Sequence, residues 1–177
     1  TFIYDLLDRP LSPDLKLASL TIAHQQSPTD LITLGKLINT YSETNELEKA
    51  MIMADKLATI AESQNNPQQV GSAQLYQSEI LSRKKLYELS SEKLNLAIEQ
   101  FEKINDLKRQ ADAWLAQSRL DPDDDYQTVK SSLLKSAELA YQANDKPREL
   151  DALIYLSKMA YKHQQTGDSY HYLRQAE

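Results

Sequence analysis

The sequence predicts an all-α protein built as a solenoid of antiparallel helix pairs. Two observations lead to this prediction. Glycine occurs three times in 177 residues, whereas average usage of about 7% would give about a dozen, so folds that need many tight turns are disfavoured. Groups of small and apolar residues also recur at steps of 39 or 40 residues, and within each group the spacing is that of one face of an α-helix.

The repeat is clearest in four predicted helices whose matching positions are spaced 3, 4 and 3 residues apart. These positions are Leu47, Ala50, Ala54 and Leu57; Tyr87, Ser90, Leu94 and Ala97; Tyr126, Val129, Leu133 and Ser136; and Thr166, Ser169, Leu173 and Ala176. Another helix is predicted before each of these four. Its matching positions are Ile38, Ser78, Ser118 and Ser157. Each unit is therefore predicted to be a helix A and a helix B, joined by a polar turn.

The units predict a single domain over residues 1–177 and about ten helices. A partial repeat covers residues 1–29, and helix-pair repeats follow at 30–66, 67–106, 107–145 and 146–177. In the partial repeat we expect a short helix A at 2–9 that Pro10 ends, and Pro13 suits the first turn of the following helix. Because the last residues still follow a helical pattern, we expect the chain to be excised from a longer protein.

One nine-residue segment recurs at these steps. "NDLKRQADA" at 105–113 returns as "NDKPRELDA" at 144–152 and more faintly as "NNPQQVGSA" at 65–73. Each copy covers the end of a helix B, a turn and the start of the next helix A. Asparagine tolerates the left-handed conformation that ends many helices, so we expect it at Asn105 and Asn144. We interpret the segment as the joint between repeats and not as a binding site.

The repeated positions resemble the tetratricopeptide repeat (TPR) family, whose helix pairs stack into a right-handed superhelix. The resemblance covers roughly residues 14–177 and rests on large residues of helix A and small residues where helices cross. They are Leu34, Leu37, Tyr41, Ala50 and Leu57; Ser78, Leu81, Ser90 and Ala97; Trp114, Ser118 and Ser136; and Leu153, Leu156, Ser157, Ala160, Ser169 and Ala176. The period exceeds the family's usual length of about 34 residues and is similar to the long repeats of MalT-type activators and kinesin light chains. HEAT repeats have a comparable period, but the small residues at both crossing positions favour the TPR family.

No motif in the sequence points to catalysis, a cofactor or a metal. Hydrolase, zinc-protease, P-loop and dinucleotide fingerprints are absent from the sequence. The four aspartates within residues 121–125 lack the glycine and glutamate that an EF-hand loop needs, so we expect them to cap a helix B. His24, His163 and His171 have no partner at metal-ligand spacing. We therefore predict a protein that is not an enzyme and that has no cofactor or metal site.

Charge and hydropathy narrow the class of partner. The net charge of −6 argues against direct binding to nucleic acid or to an anionic membrane surface. No apolar run approaches the roughly 20 residues that span a bilayer. Because the sequence has no cysteine, both the cytoplasm and the periplasm stay open as locations.

The TPR resemblance implies a concave surface, lined by A helices, that binds extended peptides or partner helices. The positions we predict on or near it are Lys36, Asn39, Tyr76, Glu79, Arg119, Tyr155 and Lys158. Tyr76 and Tyr155 could equally fill the core between repeats. The family's carboxylate clamp is not supported, because unit two has Gln74, Gln77 and Ser78 where the clamp needs Asn and Lys or Arg.

These observations predict a non-catalytic protein-protein interaction scaffold. We expect it to be the regulatory or sensor region of a larger bacterial signalling or transcription-regulating protein. The alternative is a domain that senses a small molecule or peptide and responds through the curvature of its superhelix. The terminal helices could also support a homodimer.

Overall fold

The computed structural model describes residues 12–120 and 125–176, and within these ranges it contains nine α-helices and no strand. They are α1 (Pro13–Gln26), α2 (Leu31–Glu43), α3 (Leu47–Ser63), α4 (Pro67–Arg83), α5 (Tyr87–Lys103), α6 (Leu107–Gln117), α7 (Tyr126–Gln142), α8 (Lys146–Lys162) and α9 (Thr166–Ala176). The all-α prediction is confirmed. The short helix expected at 2–9 and three of the four clustered aspartates lie outside the described residues.

Each helix packs mainly against the helices before and after it in the chain. The further contacts join α2 to α4 and α6 to α8, which are all A helices. Contacts of this kind, limited to near neighbours, are typical of a solenoid, whose stability is a sum over adjacent interfaces.

A three-residue joint of one conformation connects most neighbouring helices. In six joints the middle residue has a positive φ of 50° to 61°. These residues are Asn45, Asn65, Lys85, Asn105, Asn144 and Gln164. The prediction for Asn105 and Asn144 is confirmed. In each joint the third residue donates its N–H to the carbonyl five residues earlier, at 2.8 to 3.0 Å, which satisfies a carbonyl that the helix end leaves without a partner.

Burial follows the predicted stripe in the inner helices B and departs from it in the last one. Leu94 and Leu133 are buried against the next helix A, beside Ala113 and Ala152 respectively. Leu173 holds the matching position in α9 but is 46% exposed, and Tyr172 is buried instead. Leu173 stays exposed because no further helix packs on that side of α9 within the described ranges. Tyr172 points back to the cluster formed with α7 and α8.

Small residues lie where helices A and B cross, as predicted. The Ser78 and Ser90 hydroxyls are 2.8 Å apart, and the Ser157 and Ser169 hydroxyls are 2.9 Å apart. All four serines are buried. A larger residue would separate the two helices at these points, so the crossing requires a small side chain.

Candidate functional site: a groove across the A helices

A groove of about 810 Å³ runs across α2, α4 and α6 and reaches the first turn of α8. We call it the A-helix groove. Leu57 and Ser90, from α3 and α5, lie at its floor. The other lining residues belong to A helices or, for Arg119 and Leu120, to the turn after α6. The groove therefore follows the helices that the TPR resemblance implies for the binding surface.

The groove wall is built from matching positions of successive repeats. One row consists of Ile32, Ser72 and Asp112; a second of Lys36, Tyr76 and Ala116; a third of Asn39, Glu79 and Arg119; and a fourth of Gln69, Arg109 and Arg148. In the first three rows the members from one repeat are 4 and 3 residues apart, so those of α2 and α4 share one helix face. Asp112 and Ala116 continue this pattern on α6, and Arg119 continues it in the turn that follows. Packing the repeats side by side then aligns these faces into one surface.

The groove is locally positive, although the chain as a whole is acidic. Its lining contains five cationic side chains, and the two acidic ones are Glu79 and Asp112. The cationic residues are Lys36, Arg83, Arg109, Arg119 and Arg148. Since the net charge of the chain is −6, this surface has the opposite sign to the chain as a whole. Such a surface attracts anionic groups.

Comparison with known proteins supports this architecture. No protein-family model and no curated protein matches the sequence. Solved structures do match. BtubC (BKLC) from P. vanneervenii has a TM-score of 0.68 at 12% identity, covering 98% of this chain and 67% of its own. MamA, residues 41 to the end, from Desulfovibrio magneticus RS-1, has a TM-score of 0.65 at 16% identity, with 99% and 91% covered.

A third match is a single-residue variant of a kinesin light chain protein from Podospora anserina with nearly identical TPR-like repeats. Its TM-score is 0.64 at 12% identity, covering 93% of this chain and 84% of its own. This chain has a TPR-like fold. At such identities the likeness concerns the fold alone, and the specific likeness to MalT-type repeats stays a prediction.

Five of the seven side chains predicted for the binding surface line the groove of this TPR-like solenoid. They are Lys36, Asn39, Tyr76, Glu79 and Arg119. Tyr155 lies just beyond the groove lining, with its ring centre 4.9 Å from the guanidinium carbon of Arg119. Lys158 is exposed and does not line the groove. That these residues bind a partner remains a prediction.

The sequence left open whether Tyr76 and Tyr155 lie on the binding surface or in the core, and both pack against the core. Tyr76 packs against the core between α2 and α4 and also lines the groove. Its hydroxyl lies close to Gly35, where an added Cβ would be 3.3 Å away. Tyr155 packs against the core cluster of α7, α8 and α9. Tyr76 therefore belongs both to the core and to the groove surface. Tyr155 belongs to the core, and its ring contacts the guanidinium of Arg119.

Arg109 and Arg148 were missed as site residues because they belong to the nine-residue segment interpreted as a joint. That segment does form the joint, but its arginines also reach the groove. The caps explain how. Asp106 accepts the N–H of Arg109 at 3.2 Å, and Asp145 accepts that of Arg148 at 3.4 Å. Each cap fixes the first turn of a helix A and so the direction of the arginine three residues later.

The two arginines have different partners. Arg148 donates from Nε and Nη2 to the two carboxylate oxygens of Asp112, at 2.8 and 3.0 Å, and from Nη1 to Asp145 at 2.7 Å. Arg109 pairs with Asp106 at 3.4 Å and donates to the Ser72 hydroxyl. The sequence carries a signal for both residues, since an arginine recurs at the same place in two copies of the segment.

The other candidates from the sequence have structural roles. Asp125 caps α7 as predicted, accepting the N–H groups of Gln127 and Thr128 at 2.8 and 3.1 Å. Hydrogen bonds from Thr128 and Gln127 lower the pKa of Asp125. His24 lies 2.9 Å from the Lys56 ammonium, and burial together with that charge lowers the pKa of His24.

The remaining histidines are exposed, and each lies against an aromatic ring. His163 stacks on Tyr126 with ring centres 5.1 Å apart, and His171 meets Tyr172 edge-on at 5.6 Å. Within residues 12–120 and 125–176, no group of three His, Cys, Asp or Glu side chains is arranged to hold a metal ion. None of the described helices has the length and apolar character needed to cross a membrane.

Proposed function

We propose that the chain is a non-catalytic protein-interaction scaffold that binds an extended segment of a partner protein in the A-helix groove. One observation carries this proposal: the groove continues across successive repeats and presents tyrosine and arginine side chains and the exposed Ile32. Tyrosine and arginine are over-represented among the residues that dominate binding energy at interfaces. Ile32 adds an apolar contact at one end, since it is 62% exposed and lines the groove.

The dimensions of the groove suit a short extended segment. Packed helices lie about 8 to 10 Å apart, so four neighbouring A helices span roughly 25 to 30 Å. An extended chain rises about 3.3 Å per residue, and a segment of about eight residues would cover that distance. Matching rows of groove residues would then meet the bound segment at regular intervals.

Selection of binding peptides from a random library of displayed 12-residue peptides tests the proposal. Affinities of the selected peptides would be measured by fluorescence anisotropy on the unmodified chain and on a Lys36→Gln, Arg119→Gln double variant. We expect the double variant to bind about tenfold more weakly or worse, because each lost charge removes a contact at the groove. Circular dichroism would confirm that both proteins are folded.

A matched control is available outside the groove. The Lys135→Gln, Arg174→Gln double variant makes the same change of charge at two exposed positions that do not line the groove. We expect it to bind as the unmodified chain does. Equal affinity for all three proteins, or a library that yields no binding peptide, would contradict the proposal.

The volume of the groove favours a second candidate function, a sensor for a small molecule or short peptide that acts through the curvature of the solenoid. At about 810 Å³ the groove lies within the range of about 300 to 1,000 Å³ that is usual for small-ligand sites. Thermal-shift screening of metabolites tests this function, because a ligand that binds the folded state raises its melting temperature. A compound that raises the melting temperature and displaces the selected peptides would favour the sensor.

The biological context is part of the proposal. A regulatory or sensor region in a larger bacterial signalling or transcription-regulating protein is supported by the repeat period of 39 to 40 residues, which is similar to that of MalT-type activators. Sequencing the gene on both sides of these 177 codons tests this context. A DNA-binding or signalling domain in the same reading frame would support it, and a gene without one would contradict it.

A further inference from the structure

We infer that Arg109 is where the A-helix groove binds an acidic side chain of the partner segment, in the place that Asp112 takes against Arg148 one repeat later. This inference rests on the proposed function and names the chemistry of the partner. It follows from a comparison of two matching sites within the same molecule.

The site at Arg148 shows how a carboxylate is bound in this groove. Both oxygens of Asp112 accept hydrogen bonds from the guanidinium, at 2.8 and 3.0 Å. This paired geometry is the strong form of an arginine-carboxylate contact. The carboxylate comes from the helix A of the preceding repeat, so it bridges α6 and α8 across the groove wall.

The site at Arg109 has the same parts except for that carboxylate. Arg109 matches Arg148 at a step of 39, and its cap Asp106 matches Asp145 at the same step. The residue that matches Asp112, at a step of 40, is Ser72. Ser72 offers Arg109 one neutral hydroxyl. In the part of the chain that the structure describes, no second carboxylate pairs with Arg109.

The surroundings favour an anionic group at this place. Arg109 lines the groove together with Arg83, Arg119 and Lys36, while Glu79 is the acidic lining residue that α4 contributes. A guanidinium has five N–H donors in a planar fork, and Arg109 uses its Nε and Nη1 groups on Asp106 and Ser72. Asp112 pairs with Nε and Nη2 of Arg148, whereas Nε of Arg109 already faces Asp106. A carboxylate of a bound peptide can therefore pair with Arg109 through Nη2, beside the Ser72 hydroxyl.

The decisive variant is Ser72→Asp, which supplies the missing carboxylate from the chain itself. The peptide selection described above would be repeated with this variant, and the content of Asp and Glu in the selected peptides would be compared. We expect acidic residues to be enriched by the unmodified chain and not by Ser72→Asp. For a selected acidic peptide, we expect Ser72→Asp and Arg109→Gln each to weaken binding about tenfold or more, and Arg174→Gln to leave it unchanged.

The reverse variant should gain affinity for acidic peptides, which a misfolded protein would not do. Asp112→Ser removes the internal carboxylate from Arg148 and recreates the arrangement found at Arg109. We expect it to bind the same acidic peptides more tightly, or to select peptides with a second acidic residue. A Glu→Gln version of the peptide should bind the unmodified chain and Ser72→Asp equally.

The results separate failure of this inference from failure of the proposed function. If peptides bind in the groove but show no acidic enrichment, or if Ser72→Asp retains the full affinity for acidic peptides, the inference is wrong and the scaffold proposal stands. If no peptide binds in the groove, both are wrong. If free glutamate displaces the peptide at concentrations comparable with the peptide itself, the site takes a small anion, and the commitment to a peptide is overturned.

Discussion

Among the six joints that share one backbone conformation, those between repeats differ from those within repeats in their side chains. In both, the middle residue is left-handed and the third residue bonds back to the preceding helix. The third residues between repeats are Asn66, Asp106 and Asp145, and each accepts an N–H of the next helix through its side chain. Within repeats, Glu46 and Leu86 hold this place, and neither makes such a bond.

This difference shows that the backbone conformation ends one helix, whereas a side chain fixes the start of the next. Ending a helix requires the left-handed residue and the returning hydrogen bond, which every joint of this type has. Starting a helix A in a fixed direction also requires a side-chain cap, because its first turn carries Gln69, Arg109 or Arg148 to the groove wall. The cap therefore contributes to the candidate site as well as to stability.

The largest expected effect comes from removing the buried aromatic side chain at one joint between repeats. Phe101 is fully buried, and its carbonyl accepts the N–H of Asp106. We expect Phe101→Ala to lower the free energy of unfolding by about 3 to 5 kcal/mol, measured by urea denaturation. Leu81 has the same place in a joint within a repeat but is only partly buried, so Leu81→Ala should cost less. Equal losses in the two variants would contradict the difference in burial.

A smaller effect should separate the two kinds of cap. We expect Asp106→Ala to lower the free energy of unfolding by about 1 kcal/mol, because the N–H of Arg109 loses its acceptor. Glu46→Ala should change it less, since Glu46 makes no side-chain cap bond. Leu86→Asp should raise it, by supplying an acceptor at an exposed leucine. A Leu86→Asp variant no more stable than the unmodified chain would show that a side-chain cap adds no stability at this joint.

Substitution of the left-handed residues by glycine tests how much each side chain costs in this backbone conformation. Lys85 has a φ of 61° and Asn105 one of 54°. A lysine in this conformation costs about 1 kcal/mol or more, whereas glycine adopts it freely and asparagine more readily than lysine. We expect Lys85→Gly to raise the melting temperature and Asn105→Gly to change it less. If both variants are equally stabilised, asparagine gives no advantage at these joints.

The smallest effect concerns pH. Burial acts to raise the pKa of Asp145, but hydrogen bonds from Lys108 and Arg148 outweigh it, and the pKa lies below its ordinary value of 3.8. A lowered folded-state pKa stabilises the protein above the unfolded value, and this stability is lost as the pH falls below about 4. We expect Asp145→Asn to flatten the fall of the melting temperature in that range. An unchanged pH profile would mean that these bonds do not persist in solution.

The helix pairs were predictable because their signal is local and repeated. Asn105 and Asn144 show why: a left-handed helix end favours asparagine, which holds four of these six positions, so most of the joints are visible in the sequence. Leu173 shows the limit. Its position is buried in the inner repeats by the next helix A, and a pattern along one helix does not tell whether that neighbour is present.

The candidate site was predictable in part, for the same reason. Lys36, Tyr76 and Glu79 lie on the helix faces that the register predicted. Lys158 lies outside the groove lining because the groove reaches only the first turn of α8. Arg109 was missed because its segment was interpreted only as a joint; its contact with Ser72 joins residues 37 positions apart and is not visible in the local pattern.

The sequence by itself determined the helices, their period and the asparagine joints, because each depends on residues within a few positions of one another. Only the tertiary structure decided which faces meet to form the groove, that its charge is opposite to that of the chain, and that Arg148 has a carboxylate from the preceding repeat while Arg109 has a serine. Those properties arise when neighbouring repeats pack, which brings together side chains from helices that are distant in the sequence.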